Sequence, residues 1–183
     1  MTWTIPGTVL QADRSEAEQI RVQLEALFFG GGITLSQVTA ITGLEAHTVQ
    51  NWVKRGFLTS PVGKRYSLEQ LCRILNIHML RGVLPLERIC QMLSFVNGQL
   101  DDSSDDMVSD AQLYFMFVRL AARMKELYEP EAAEEALEGY LKDYQEPVPG
   151  ARERVRKVLR IMLTAWLSAR MMQAAEQMLQ DLQ

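Results

Sequence analysis

Residues 33–58 read ITLSQVTAITGLEAHTVQNWVKRGFL. Thr34 and Gln37 stand at capping-box spacing, so a short helix should open there and run through Ile41. Thr42-Gly43-Leu44 is a turn, and a second short helix covers about Ala46–Arg55 before Gly56 ends it. On a helix turning ~100° per residue, Val53, Ala46 and Trp52 fall within ~60° of Val49 and make one apolar face. His47, Asn51 and Lys54 fall ~140–200° away, with Gln50 and Arg55 flanking them. The outward face therefore carries imidazole, amide and cationic groups and no carboxylate. Such groups read base edges and hold phosphates in a major groove. The alternative is a solvated polar face on an ordinary helical hairpin.

The next stretch, Leu58–Tyr66, contains Pro61 and Gly63 and reads as a small hairpin or wing, the one place where strand is expected. Lys64 and Arg65 would set two more charges on a flanking backbone. Ser67 with Gln70 caps a helix to about Arg81 whose apolar residues cover most of its circumference, so it should be central. Pro85 fits the first position of another helix, which runs to an Asn97-Gly98 stop. Two short helices, a wing and two further helices follow the order of a winged helix-turn-helix.

Upstream, Ser15 and Glu18 have cap spacing and predict a helix from Ser15 to Phe29, stopped by Gly30-Gly31-Gly32. Downstream, the polar break Asp101–Asp106 divides the chain into an N-terminal helix (1–32), a helix-turn-helix unit (33–98) and a helical bundle (99–183). In the bundle, Ser109 and Gln112 open a helix to about Tyr128, and Pro130 interrupts. A second helix extends through Tyr144 to Pro147–Gly150, and a last one fills most of 151–182. The fold class is all-α with one small wing.

The net charge of −4 is unevenly spread. Residues 33–93 carry seven basic and three acidic groups, whereas 94–150 carry four basic and thirteen acidic. Only the first module should face a polyanion, and the overall acidity argues against indiscriminate nucleic-acid coating. No apolar run approaches the ~18 residues of a membrane span, and no secretion signal is evident. Cys72 and Cys90 read as buried, reduced thiols, so a cytoplasmic location is expected.

Ile33–Leu93 resembles the DNA-binding domain of MerR-type regulators. The likeness rests on the opening stretch, on SPVGKRYSLEQL (60–71) and on MLRGVLPLERICQML (79–93). It implies a winged helix-turn-helix that binds double-stranded DNA as a homodimer. This chain has Val49-Gln50-Asn51-Trp52 where such regulators usually carry Leu-Arg-Tyr-Tyr, and Lys64-Arg65-Tyr66 where they carry Arg-x-Tyr. Its second half resembles a bacterial MerR-like family of unknown function, in which an Asp-rich segment precedes a helix similar to Asp110–Leu120.

A sequence-specific transcriptional regulator is therefore expected. His47, Thr48, Gln50, Asn51 and Lys54 would meet the major groove, and Arg55, Lys64, Arg65 and Tyr66 the backbone. The rival is a protein-interaction module that keeps the shape without binding DNA. No effector can be named, and enzyme chemistry has little support: there is no phosphate-binding glycine loop and no convincing nucleophile setting. Neither cofactor nor metal is expected. An EF-hand begun at Asp101 would need Gly and Glu where Asp106 and Gln112 stand, and Cys72 and His78 point about 120° apart on a helix. Arg152, Arg156 and Arg160 should pair with the acidic set Glu131, Glu134, Glu135 and Glu138. The apolar stripe Val155, Val158, Met162, Trp166, Met171, Ala174, Met178 and Leu182 reads as bundle core, with a dimer seam or an adaptable Met-rich wall for a cofactor or small molecule as the alternatives.

Overall fold

Three helices begin with the same reciprocal device. Thr34, Ser67 and Ser109 each accept the backbone N–H three residues on, while Gln37, Gln70 and Gln112 reach back to the cap residue's own N–H. These closures start α2 (Leu35–Thr42), α4 (Leu68–Leu80) and α6 (Asp110–Arg123) in the computed structural model. The structure describes residues 2–98, 100, 106–124 and 130–182. The remaining helices are α1 (Ala17–Ala26), α3 (Ala46–Lys54), α5 (Leu86–Asn97), α7 (Pro130–Leu141) and α8 (Ala151–Gln180). The protein is thus mainly helical, with two small two-stranded sheets among the described residues.

α4 is the axis. Leu71, Cys72, Ile74, Leu75 and Ile77 are fully buried, so the helix is covered nearly all round, as its sequence predicts. It packs against α2, α5, α6 and α8. Two of its polar residues are buried as well, Arg73 and Asn76. Arg73 donates from Nε to the Phe57 carbonyl (2.8 Å) and from Nη1 to Asp110 Oδ2 (3.1 Å). Asn76 Nδ2 donates to the Asp110 carbonyl, and Glu69 accepts from the Ser109 hydroxyl and the Ala111 N–H. One face of α4 thereby grips the first turn of α6. Buried side chains run from Trp3 to Leu167 as one cluster.

The N-terminus departs from expectation. β1 (Thr2–Thr4) and β2 (Gln11–Asp13) form an antiparallel hairpin where no strand is predicted. Trp3 and Ile5 alternate inward, and the Tyr114 hydroxyl donates to the Pro6 carbonyl at 2.9 Å. Gly7 (φ +75°) lies against α4 so closely that a Cβ would stand 2.7 Å from the Leu75 carbonyl oxygen. The Ser15–Glu18 capping box does not form. Asp13 accepts from Ser15 N–H and hydroxyl instead, a 3-10 turn covers Arg14–Glu16, and α1 ends at Ala26 rather than Phe29. Pro85 is the extended cap residue before α5, not its first helical residue.

In the second half, α6 ends at Arg123; Tyr128, the expected end, lies outside the described residues, as do Asp101, Asp102 and Asp105 of the polar break. α7 stops at Leu141, and Tyr144 beyond it donates to the Met107 carbonyl at 2.6 Å. The expected α7–α8 pairing is present for two of its four acidic residues: Glu134 binds Arg156 and Arg160, each at 2.9 Å, and Glu138 binds Arg152 at 3.2 Å, whereas Glu131 and Glu135 pair with no described residue. The α8 stripe is core only as far as Leu167. Met171, Ala174, Met178 and Leu182 are exposed, because no described element continues alongside the last turns. No helix among the described residues is long and apolar enough to cross a membrane.

Burial raises the Asp110 carboxyl above its usual range even though Arg73 opposes the shift. Arg73→Met is therefore expected to cost about 3–5 kcal/mol in urea unfolding, because it strands a buried carboxylate. The folded protein would then hold the Asp110 proton still more tightly than the unfolded chain does. The stability associated with that proton is present below about pH 4 and is lost as pH rises through the raised folded value. Arg73→Met/Asp110→Leu should recover most of the loss, and unfolding midpoints unchanged by Arg73→Met would refute the assignment.

Candidate functional site

The turn between α2 and α3 is closed by side chains that face inward. Thr42 is buried, donates its hydroxyl to the Val38 carbonyl (2.8 Å) and accepts from Leu44 N–H (3.1 Å). Gly43 adopts a left-handed conformation (φ +71°) and donates to the Thr39 carbonyl. The N-terminal hairpin props this turn, since Val9 N–H donates to the Ile41 carbonyl at 3.0 Å. Neither Thr42 nor Val9 is legible as a site residue from sequence; Thr42 reads only as part of a turn.

α3 is held by Val49 and Trp52, both buried, and that sets its rotation. His47, Gln50, Asn51, Lys54 and Arg55 are exposed, and Thr48 is half-buried. The expected outward face is therefore brought together on one helix. Arg55 is less available than expected. Its Nη2 lies 2.6 Å from Glu87 of α5, and its guanidinium stacks 4.7 Å from the Phe57 ring centroid.

The stretch after α3 is not a self-paired hairpin of any length. β4 (Arg65–Tyr66) pairs antiparallel with β3 (Ile33–Thr34), the strand that leads into α2. Only a single bridge, Val62 to Arg65, closes the tip. Gly63 and Lys64 both have positive φ (+57° and +62°), which is the geometry of a tight two-residue turn. Lys64 and Arg65 are exposed, and Arg65 also donates to the Gly32 carbonyl at 2.8 Å. Gln70 ties the preceding loop down through Nε2 to the Thr59 and Ser60 carbonyls.

Tyr66 is corrected: it is 3% exposed, and its ring belongs to the core, because its strand neighbour Arg65 takes the outward side of the two-residue alternation. Burial also holds its phenol above the usual range. Between α3 and the turn lies a largely apolar pocket of about 570 Å³, walled by Leu35, Val53, Pro61 and Tyr66, with Gln50, Lys54 and Lys64 beside them. Cys72 and Cys90 are buried and unpaired, and burial pushes both thiols up. No group of three or more potential metal ligands occurs among the described residues.

A family described as a domain of unknown function, DUF1836, matches residues 33–117. The matched span takes in β3 through most of α6, and so both partners of the Arg73–Asp110 pair. A similar protein is the uncharacterized protein YkrK of Bacillus subtilis (strain 168), 25% identical over 162 residues that cover 82% of this chain and 70% of the relative. No solved structure matches the chain.

Lys64 holds a backbone conformation that costs an ordinary L-residue about 1–2 kcal/mol. Lys64→Asn is expected to leave the protein as stable, or up to about 1 kcal/mol more stable, in chemical denaturation, because Asn tolerates that region better. A loss of stability would mean that the lysine side chain itself supports the turn.

Proposed function

We propose that this protein is a cytoplasmic, sequence-specific transcriptional regulator that binds double-stranded DNA as a homodimer through a MerR-like winged helix-turn-helix. The observation that carries the reading is the outward face of α3. It presents His47, Gln50, Asn51 and Lys54 together, with no carboxylate among them and Lys64 and Arg65 on the adjacent turn. α3 would enter the major groove with Gln50 and Asn51 at base edges, while Lys54, Lys64 and Arg65 neutralise phosphates. The second copy would dock on the free end of α8. There Met172, Ala175, Leu179 and Leu182 recur at coiled-coil spacing and are exposed.

A second reading, a module that binds another protein through the same face, draws on two observations. The pocket between α3 and the turn is largely apolar, and Val62 at the tip is 86% exposed. The neutralisation of Arg55 by Glu87 points the same way.

Selection from a randomised duplex library at two salt concentrations separates the two. The DNA reading expects an enriched palindrome, with Asn51→Ala costing about 1–3 kcal/mol on that site alone. Lys54→Ala and Lys64→Ala should weaken binding to every sequence and each lower the salt slope by about 1. Glu87→Gln should strengthen binding to all sequences by releasing Arg55. No enrichment at either salt, from protein that is folded and helical, would leave the protein-partner reading.

The dimer is tested by sedimentation equilibrium. Met172→Glu/Leu179→Glu is expected to give a folded monomer that no longer prefers a palindrome. A wild-type monomer at the concentrations that bind the palindrome would refute the α8 seam.

A further inference from the structure

A cleft of about 840 Å³ opens between the N-terminal hairpin, the C-terminal end of α4 and the middle of α8. That volume is within the ~300–1,000 Å³ range of small-molecule sites. Arg14, Arg81, Arg170 and His78 line it, and no Asp or Glu does among the described residues. In a chain of net charge −4 this is a concentrated cationic surface. Arg81 and Arg170 make no ion pair with any described residue.

The arginines stack on aromatic rings rather than pair with carboxylates, and Arg14 also donates from Nη1 to the Met124 carbonyl at 2.6 Å. Arg14 lies 5.5 Å from the Trp3 ring centroid, Arg170 5.0 Å from Trp166, and Arg81 6.0 Å from Trp52. Trp3 and Trp166 meet edge to face at 6.4 Å. Stacking of this kind orients a guanidinium while leaving the N–H edges of Arg81 and Arg170 to fork onto an oxyanion. Two donors of residues that line the cleft, Trp3 Nε1 and Arg14 Nε, are buried without a hydrogen-bond partner. Both lack any acceptor capacity, so what would satisfy them is an oxygen lone pair.

We infer that this cleft binds a small, multiply charged oxyanion, of the phosphate or the carboxylate class. The guanidinium fork matches either group, so the shared chemistry is a ligand with two or more negative charges carried on planar carboxylate or tetrahedral phosphate groups.

The test uses pyrophosphate and citrate as probes on the full chain at fixed ionic strength. The readout is tryptophan fluorescence, with calorimetry for stoichiometry. Trp3 and Trp166 line the cleft and Trp52 sits under Arg81, so occupancy should be seen directly. At least one probe is expected to saturate at one site per chain. Arg81→Gln/Arg170→Gln should weaken it at least about tenfold with helix content unchanged, as removal of two charge-assisted hydrogen bonds requires. Lys54→Ala/Lys64→Ala, which removes charge from the α3 face, should leave binding intact. Tighter binding of pyrophosphate would assign the phosphate class, and tighter binding of citrate the carboxylate class. The inference is overturned if neither probe saturates. It also fails if Arg81→Gln/Arg170→Gln has no effect, or if both double variants weaken binding equally. Binding is read without DNA, so failure here and failure of the regulator reading are separate results.

Discussion

The pairing of Arg73 with Asp110 sits where three parts of the molecule meet. Arg73 belongs to α4, its Nε holds the Phe57 carbonyl just after α3, and its Nη1 holds the first residue of α6. Both charged groups are almost removed from water, with 5% and 12% of their side chains exposed. A pair so placed gains little net free energy, because desolvation offsets most of the attraction. The raised Asp110 carboxyl is the sign of that near-balance: burial outweighs the neighbouring guanidinium. What such a pair does supply is a penalty for any arrangement in which either partner is left alone, so it specifies how the α3 segment, α4 and α6 sit together.

The exposed face of α3 is a consequence of packing rather than a separate feature. Val49 and Trp52 must be buried, and a nine-residue helix with those two anchors has one rotation available. His47, Asn51 and Lys54 then face water by geometry. The adjacent turn is fixed in the same indirect way. β4 pairs with β3 at the start of α2, and Gln70, already used in the α4 cap, fastens Thr59 and Ser60. Lys64 is therefore carried on backbone tied at three points, which is what allows it to remain in a left-handed conformation.

The helices were legible in the sequence wherever a local device starts them. Thr34–Gln37, Ser67–Gln70 and Ser109–Gln112 each place both capping residues within one turn, and all three caps form. Ser15–Glu18 has the same spacing and fails, because Asp13, two residues earlier, captures Ser15 and the chain enters from a strand. That strand was invisible for the complementary reason. β1 and β2 are three residues each, too short for an alternation to register, and what holds them is Trp3 on Trp166 and Tyr114 on Pro6, contacts over a hundred residues apart. Angular phase predicted the outward side of α3 because it needs only the helix, although Ala46, placed on the apolar side, is exposed. It could not predict that Tyr66 turns inward or that Glu87 occupies Arg55, since both depend on partners in other elements. The α8 stripe was half misread for the same reason: periodicity marks an apolar face but does not say how far a neighbour extends along it.

α4 is the element that joins these features. Its first turn carries Gln70, which holds the loop after α3; its middle carries Arg73; and its last turn and C-cap bring His78 and Arg81 to the cationic cleft. Thirteen helical residues span about 20 Å. A helix covered nearly all round sits in a close-packed core that resists local deformation. Arg81 also lies over Trp52, one of the two anchors of α3. The cleft and α3 therefore share one element and one aromatic contact. The residue that α4 brings to the cleft thus touches a side chain that fixes the rotation of α3.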